Sequence, residues 1–263
     1  MLLESKLREA ELRLGAFCNG YFTKRVFVFM ERYSVIRDKR PRELVLLRGS
    51  GCVYKRCAFC DYHIDCSPDE AANFALNSSV LARVTGEYGE LEVINSGSVF
   101  ELDSRTLALI KAVCAERNIS VVHFETHYLY RNKLDELRRE FDGFTLLFKL
   151  GLETFDYDLR ENVLLKGIPD RDPAIIAQGF DEANFLFGLT GQTVETMRSD
   201  IELGLKYFKR ICVNVMCENS TSVKPDGQVV SAFVRELYPI YKDDPRVDIL
   251  ISNLDFGVGE INN

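Results

Sequence analysis

The sequence has no apolar run long enough to cross a bilayer, and its first residues do not resemble a signal peptide. Both absences lead us to expect a cytoplasmic protein in a reducing environment, without a membrane partner. An excess of basic residues is also missing, since the formal net charge is −7. Surfaces that bind phosphate backbones usually carry clustered lysine and arginine, so direct nucleic-acid binding is not expected.

Linkers, low-complexity tracts and evident repeats are absent as well. With 46% hydrophobic and 28% charged residues, the 263-residue chain can bury a sizeable core. We therefore predict a single domain over residues 1–263. It comprises an N-terminal extension at 1–42, which begins with an amphipathic helix, a core at 43–217 and a closing segment at 218–263.

Apolar, strand-like runs alternate with helical patterns along most of the chain. The predicted strands cover residues 43–48, 91–95, 119–125, 144–152, 182–188, 210–216 and 247–252. The predicted helices cover residues 68–86, 104–117, 132–141, 157–163, 171–179, 193–207 and 227–240. This alternation is typical of βα units on a parallel sheet. The predicted fold class is α/β, and a closed or partial barrel of six or seven units is favoured over an open doubly wound sheet.

Three of the eight cysteines lie close together, directly after the first predicted core strand. Cys52, Cys57 and Cys60 fall within nine residues. Thiolates bind soft metal centres, and three in one loop suit a cubane iron–sulfur cluster whose fourth iron stays open. A structural zinc site, a disulfide pair and unrelated thiols are the alternatives. The remaining cysteines are predicted to be small core residues.

Ligands of such sheets gather where the parallel strands end, so the segments after the strands are candidates for a site. Small or polar residues follow the strands at 95–101, 123–127, 151–154, 188–193, 214–219 and 253–257. Because side chains alternate along a strand, His123 and Glu125 share one face, as do Lys149, Gly151 and Glu153. The glycines of 188–193 are not followed by Gly-Lys-Ser/Thr, which excludes a nucleotide P-loop.

Together these features resemble the radical S-adenosylmethionine superfamily. The resemblance depends on the cysteine loop, Ser96–Ser98, Glu153 and Gly188–Thr193, and it covers the predicted core. The loop departs from the commonest pattern because four residues, instead of three, separate Cys52 from Cys57. The resemblance implies a partial (β/α)6-7 barrel with an N-terminal helical extension.

The resemblance also implies a 4Fe–4S cluster on Cys52, Cys57 and Cys60, with S-adenosylmethionine on its open iron. One electron, from an external donor of the flavodoxin or ferredoxin type, would yield methionine and a 5′-deoxyadenosyl radical that takes a hydrogen atom from the substrate. The residues implied in cofactor binding are Ser96, Gly97 and Ser98 for the amino group, Lys166 for the carboxylate, Glu153 near the ribose and Phe59 near the adenine. A solvated position for Lys166 and a packing role for Phe59 are the alternatives.

Within the superfamily, the chain as a whole is similar to the queuine lyases, notably in Asn95–Ser98 and in Asp255–Gly259. This similarity implies a lyase that cleaves the deazapurine queuine between its cyclopentenediol ring and its aminomethyl nitrogen. The product would be 7-aminomethyl-7-deazaguanine, for salvage into tRNA queuosine synthesis. A radical enzyme acting on a tRNA base or another small molecule is the alternative, and a zinc-stabilised binding module is a remote one.

The implied substrate suggests which polar residues contact it. A guanine-like edge presents adjacent N–H donors that a carboxylate accepts in pairs, and a diol needs polar partners. Breaking a carbon–nitrogen bond benefits from an acid near the leaving amine. The predicted substrate-binding residues are Asp61, Glu101, Glu125, His127, Asn214, Glu218 and Asp255, and the predicted catalytic acids are His123 and Lys149.

Overall fold

The structure is a computed structural model that describes residues 31–251. The chain divides into residues 1–30 and residues 31–263, and the described residues all belong to the second unit. The amphipathic helix predicted at the N-terminus and the candidate Asp255 lie outside the described residues. The single domain predicted for the whole chain therefore stays a prediction.

The described residues form one sheet of eight strands, whose spatial order is the order of the chain. The strands are β1 Tyr33–Ile36, β2 Arg42–Leu47, β3 Glu90–Asn95, β4 Val121–Thr126, β5 Thr145–Glu153, β6 Glu182–Phe187, β7 Arg210–Val215 and β8 Val247–Leu250. β1 pairs with β2 in the antiparallel sense, and every later pair is parallel. Strands β2–β8 confirm the predicted strands. A doubly wound sheet would reverse its strand order partway, and this sheet does not.

Side chains of the first and last parallel strands meet, because the sheet curls into a partial barrel. Arg42 Nη2 lies 3.1 Å from Asp248 Oδ2, which joins β2 to β8 across the open seam. The Lys39 ammonium donates to the Val247 carbonyl at the same place. In the described part of the chain, β2 and β8 have no backbone pairing, so the barrel is partial, as predicted.

The edge strand β1 falls inside the predicted N-terminal extension. The Tyr33 hydroxyl donates to Glu43 Oε1 over 2.7 Å, and the backbone N–H groups of Thr85 and Gly86 donate to the same carboxylate. These bonds fix β1 and the turn before β3 against β2. The sheet therefore begins before residue 43, where the sequence placed its start.

Helices follow the parallel strands and cover the outer face of the sheet. They are α1 Glu70–Leu81, α2 Ser104–Glu116, α3 Leu134–Glu140, α4 Pro173–Ile176, α5 Val194–Tyr207, α6 Gly227–Glu236 and α7 Tyr238–Tyr241. The side chains of Asp69 and Asp103 accept hydrogen bonds from first-turn amides and so set where α1 and α2 begin. The helix predicted at 157–163 is a π-helical turn, Leu159–Val163. None of the described helices is long and apolar enough to span a membrane.

The two faces of the sheet differ in polarity. Val93, Phe124, Phe148 and Phe185 lie in the apolar core that also contains helix side chains such as Ile201. The opposite face carries buried charged residues, among them Arg42, Glu92, Lys149, Glu182 and Arg210. Strand alternation therefore separates an apolar layer, under the helices, from a polar barrel interior.

Candidate active site

The cysteine loop leaves the end of β2 and is held by the loops that follow three other strands. The Glu101 carboxylate accepts hydrogen bonds from the Val53 backbone N–H, over 2.8 Å, and from the Tyr130 hydroxyl, over 3.1 Å. The Tyr54 hydroxyl donates to the Leu165 carbonyl over 2.8 Å. These bonds tie the loop to the segments after β3, β4 and β5, so its shape depends on the barrel rim.

The three thiols of this loop are free and half-buried. Burial raises the pKa of the Cys57 thiol to about 11 and also raises that of Cys60, while the nearby Lys166 ammonium acts in the opposite direction on both. Lys166 is thus close enough to favour the thiolate forms. Among the side chains that the structure describes, no three Cys, His, Asp or Glu residues are grouped as a single metal ion requires.

A buried lysine and a buried glutamate face each other beside the cysteine loop. Lys166 Nζ lies 2.8 Å from Glu153 Oε1, and each side chain is only 9% exposed. Burial opposes the ammonium charge, but the Glu153 carboxylate outweighs it and the pKa of Lys166 is raised. The Phe59 ring centroid lies 5.4 Å from the same nitrogen. The structure thus brings together three residues that the resemblance assigns to S-adenosylmethionine.

Gly151 makes room for this pair. A Cβ atom at residue 151 would lie 2.9 Å from Lys166 Nζ and 3.1 Å from Glu153 Oε1. The two charged groups therefore lie directly over the backbone of β5, in space that any other residue would fill. The sequence predicted that Gly151 and Glu153 share a face, and the structure gives the reason for glycine.

The backbone at Glu153 has an unusual conformation that a buried carboxylate supports. Glu153 has a φ of 73° at a β-bulge, a left-handed region that few non-glycine residues adopt. Asp200 of α5 accepts hydrogen bonds from Thr154 Oγ1 over 2.7 Å and from the Phe155 N–H over 2.8 Å. Burial raises the pKa of Asp200 to about 7. Asp200 thus holds the two residues that follow Glu153.

Arg160 closes the loop that carries Lys166. Its fully buried guanidinium donates to four backbone carbonyls, those of Thr154, Phe155, Ile168 and Asp170. Sequence reasoning missed the supporting roles of Arg160 and Asp200. For Asp200 a signal existed, because it shares the buried face of α5 with Met197 and Ile201. Arg160 gave none, since backbone carbonyls carry no sequence pattern.

The loop after β3 presents two buried polar atoms that lack a hydrogen-bond partner in the described part of the chain. Asn95 Oδ1 and Ser96 Oγ are unpaired among the described residues. Buried acceptors of this kind cost free energy unless a ligand or water satisfies them. A Cβ at Gly97 would lie 3.2 Å from the Cys52 backbone, so this loop packs directly on the cysteine loop. It forms a cradle beside the cysteines whose two acceptors suit an ammonium group.

Ser98 and Glu101 stabilise the loop after β3 through hydrogen bonds to other protein groups. The Ser98 hydroxyl lies 2.7 Å from Thr126 Oγ1, and the Ser98 backbone N–H donates to Glu101. Glu101 therefore receives donors from three different residues of the protein. This arrangement does not favour the substrate contact predicted for Glu101.

His127 is engaged on both ring nitrogens. Nε2 donates to the Lys166 carbonyl over 2.9 Å, and Nδ1 accepts from the Leu129 N–H over 3.2 Å. The Tyr54 ring stacks on the imidazole with a centroid distance of 4.5 Å. Burial, together with the Lys166 charge, lowers the pKa of His127 to about 4. The neutral ring holds the cysteine loop and the Lys166 segment in place, which does not favour the predicted substrate contact.

Glu125 and Asn184 form a polar pair inside the barrel. Asn184 Nδ2 donates to Glu125 Oε1 over 2.8 Å, and both side chains are partly exposed. Burial raises the pKa of Glu125, although the Lys149 ammonium opposes it. The pair offers an amide and a carboxyl group side by side, which can donate to and accept from one planar ligand.

The predicted acids His123 and Lys149 belong to a cluster of largely buried charged residues inside the barrel. We call this cluster, which also contains Glu90, Glu92 and Glu182, the charged floor. His123 Nδ1 lies 3.1 Å from Glu182 Oε2, and Nε2 lies 2.6 Å from Glu90 Oε1. Glu90 and Glu182 are the first residues of β3 and β6, at the end of the sheet opposite the cysteine loop. Lys149 pairs with Glu92. The structure therefore does not bring His123 to the strand ends, and it ties Lys149 to a buried carboxylate.

The loop after β7 meets the end of the cysteine loop. Asn219 Nδ2 donates to the Phe59 carbonyl over 2.7 Å. Asp61 Oδ2 accepts from the Ser220 N–H and hydroxyl, both over 3.1 Å. Asp61 is thus committed to joining two loops.

Two other predicted substrate contacts, Glu218 and Asn214, come from the same part of the chain. Glu218 is exposed and pairs with Lys224 over 3.2 Å. Asn214 lies on β7, in register with Leu186 of β6 and Leu250 of β8. The structure therefore places Glu218 at the surface, where it is paired.

Comparison with known proteins agrees with this geometry. The solved structure of a queuine lyase from Clostridium spiroforme, bound to S-adenosylmethionine and queuine, is 41% identical to this chain, with a TM-score of 0.83. The match covers 88% of this chain and 100% of that protein. No protein-family model and no curated protein sequence matches the chain.

Two more distant structures share the fold alone. Streptococcus suis SuiB bound to S-adenosylmethionine is 17% identical with a TM-score of 0.53, and the match covers 78% of this chain and 49% of SuiB. The methylornithine synthase PylB is 12% identical with a TM-score of 0.54, and the match covers 78% of this chain and 63% of PylB.

The partial barrel, the three-cysteine loop and the Glu153–Lys166 pair at its rim define a radical S-adenosylmethionine enzyme. At this identity over the full length of the solved protein, the chain belongs to the queuine lyase family.

Proposed function

We propose that this chain is a radical lyase that cleaves queuine between its cyclopentenediol ring and its aminomethyl nitrogen, releasing 7-aminomethyl-7-deazaguanine. The observation that carries the proposal is the 41% identity to a queuine lyase solved with S-adenosylmethionine and queuine. The barrel interior also fits a planar polar substrate, because Glu125 and Asn184 offer complementary groups there.

Cys52, Cys57 and Cys60 are the proposed ligands of a 4Fe–4S cluster. Such a cluster takes three cysteine thiolates and leaves its fourth iron open. The loop carries three free, half-buried thiols that can serve as these ligands. A cluster held there, together with S-adenosylmethionine, would supply the one-electron radical chemistry that removes a hydrogen atom from the substrate.

The protein's own task is to hold and orient S-adenosylmethionine between two loops. Asn95 Oδ1 and Ser96 Oγ, both buried and unpaired among the described residues, accept hydrogen bonds from the methionine ammonium group. Lys166 binds the methionine carboxylate through a charge-assisted hydrogen bond. Glu153 keeps Lys166 in position and contacts the ribose, and Phe59 contacts the adenine.

Glu125 and Asn184 read the base of queuine. The adjacent N–H donors of the guanine-like edge bind the Glu125 carboxylate, and the Asn184 amide binds the neighbouring polar group. The charged floor below, in which Glu92 holds Lys149, closes the interior under the substrate. Of the carboxylates predicted to read the base, Asp61, Glu101 and Glu218 are committed to other contacts in the described structure.

Anaerobic incubation with dithionite, S-adenosylmethionine and queuine tests this function. Mass analysis should find 5′-deoxyadenosine and 7-aminomethyl-7-deazaguanine in reactions with queuine. A parallel reaction with queuosine-containing tRNA addresses the alternative of a tRNA-modifying enzyme. Product from tRNA but not from free queuine would refute the assignment.

A further inference from the structure

An exposed apolar and cationic surface surrounds Tyr54 on the cysteine loop, and the proposed reaction does not use it. We define the Tyr54 face as Val53, Tyr54, Lys55, Arg56, Leu129, Val163 and Leu165. Its four aliphatic side chains are between 42% and 67% exposed. Single exposed aliphatic residues are ordinary, but a group of them rimmed by charge marks an interaction surface.

Contacts of Tyr54 hold this face together. The hydroxyl donates to the Leu165 carbonyl over 2.8 Å, and the ring stacks on His127. His127 in turn accepts from the Leu129 N–H. These contacts join the cysteine loop to the loops after β4 and β5 around Tyr54.

The charge of the face is opposite to that of the chain. Lys55 and Arg56 are exposed, and neither is paired with a carboxylate in the described part of the chain, whereas the whole chain carries a formal charge of −7. Glu161 lies close enough to act on Tyr54, but its carboxylate accepts from the Gly167 and Ile168 N–H groups. Two unpaired cations thus stand beside the apolar patch.

We infer that the Tyr54 face is the docking surface of the one-electron donor, a small acidic protein that carries a flavin or an iron–sulfur centre. In the transfer, the reduced donor loses one electron and the enzyme's cluster gains it, and no atom is exchanged. The face suits this partner because it is built on the loop that carries the three cysteines, which brings the two redox centres near each other. Lys55 and Arg56 attract an acidic partner electrostatically, and the aliphatic side chains pack against apolar side chains of that partner and exclude water. The inference rests on the proposed function, since only a cluster-bearing enzyme needs the donor.

Matched variants of the cluster-loaded enzyme test the inference. The charge variant is Lys55→Glu with Arg56→Glu, and the apolar variant is Val163→Ser with Leu165→Ser. The control is Lys206→Glu with Arg235→Glu, which makes the same charge change at exposed positions on α5 and α6. Calorimetry measures the Kd for an acidic flavodoxin and for a ferredoxin at low ionic strength and at about 0.3 M salt. Bleaching of the cluster absorbance measures its reduction by reduced flavodoxin or by dithionite.

We expect at least one of the two carrier proteins to bind the wild type, more weakly at high salt. The charge variant should weaken that binding about tenfold or more and slow reduction by the carrier equally, and the apolar variant should weaken it at both salt concentrations. Reduction by dithionite should stay within about twofold of wild type, since a small reductant needs no docking face. The control variant should behave as wild type.

Unchanged affinity in both face variants, an equal loss in the control, or no carrier binding to the wild type would overturn the inference. Slower reduction by dithionite would overturn it as well, because the face would then belong to the reaction site. None of these measurements uses queuine. A failure to cleave queuine would therefore refute the proposed function and leave the docking result intact.

Discussion

Lys166 reaches Glu153 across the bare backbone of Gly151, with 2.8 Å between Nζ and Oε1. The absence of one carbon atom is the condition for this contact, because a Cβ at residue 151 would lie 2.9 Å from Nζ. The cation that we assign to the S-adenosylmethionine carboxylate is therefore positioned by a residue that bears no functional group.

The Gly151→Ala variant tests this relationship. The flexible end of Lys166 should move aside, so the fold survives while S-adenosylmethionine binds about tenfold more weakly. Calorimetric titration and a thermal melt measure the two effects. Gly227→Ala is the control, since a Cβ there meets nothing within 4 Å. Wild-type affinity in Gly151→Ala would show that Lys166 does not need its present position.

The Glu125→Gln variant tests whether the Glu125 carboxylate binds the guanine-like edge of queuine. Replacing one carboxylate oxygen by an NH2 group sets a donor against the N–H donors of queuine, and we expect queuine to bind roughly 10- to 100-fold more weakly. S-adenosylmethionine binding should be unchanged. Glu218→Gln serves as the control, because Glu218 is exposed and pairs with Lys224. Equal losses in both variants would contradict the assignment.

The buried Asp200 predicts a pH-dependent stability. Its pKa is raised by burial from 3.8 to about 7, so between these values the folded protein holds a proton that the unfolded chain has released. The contribution of Asp200 to the free energy of unfolding should therefore fall as pH rises from about 4 to about 7 and level off above that. Asp200→Asn should remove this slope.

Urea denaturation at pH 5 and pH 8 measures the Asp200 effect. Asp135→Asn is the matched control, because Asp135 has an exposed side chain. A pH profile of Asp200→Asn identical to that of wild type would show that Asp200 does not titrate in this window.

The Cys57→Ala and Cys114→Ala variants distinguish a proposed cluster ligand from a cysteine that only packs in the core. Cys57→Ala should abolish iron–sulfur absorbance after anaerobic reconstitution, and with it 5′-deoxyadenosine formation, while the domain still folds. Cys114 is buried in the apolar core, so Cys114→Ala should assemble the cluster and lose about 1 kcal/mol of stability. Full cluster assembly in Cys57→Ala would remove that residue from the ligand set.

The fold class could be predicted from the pattern of residues alone, and so could the loops that meet at the candidate site. The apolar, strand-like runs and the helical patterns between them predicted seven strands of a parallel sheet, within a few residues of their observed positions. Local signals suffice for this, because alternation along a strand and capping at a helix start are properties of neighbouring residues. The cysteine loop and the shared face of Gly151 and Glu153 could be recognised in the sequence because they also involve residues close together in the chain.

The fold was needed to show which polar residues hold the protein together. His123 and Glu101 were candidates because each follows or ends a strand, yet His123 lies in the floor and Glu101 holds two loops. Asp200 and Arg160 also support the site, and only the position of Asp200 on the buried face of α5 could have been read from the sequence. The physical reason is that a charged side chain is satisfied by partners distant in sequence, and those partners are fixed only when the sheet curls and brings separate strands together.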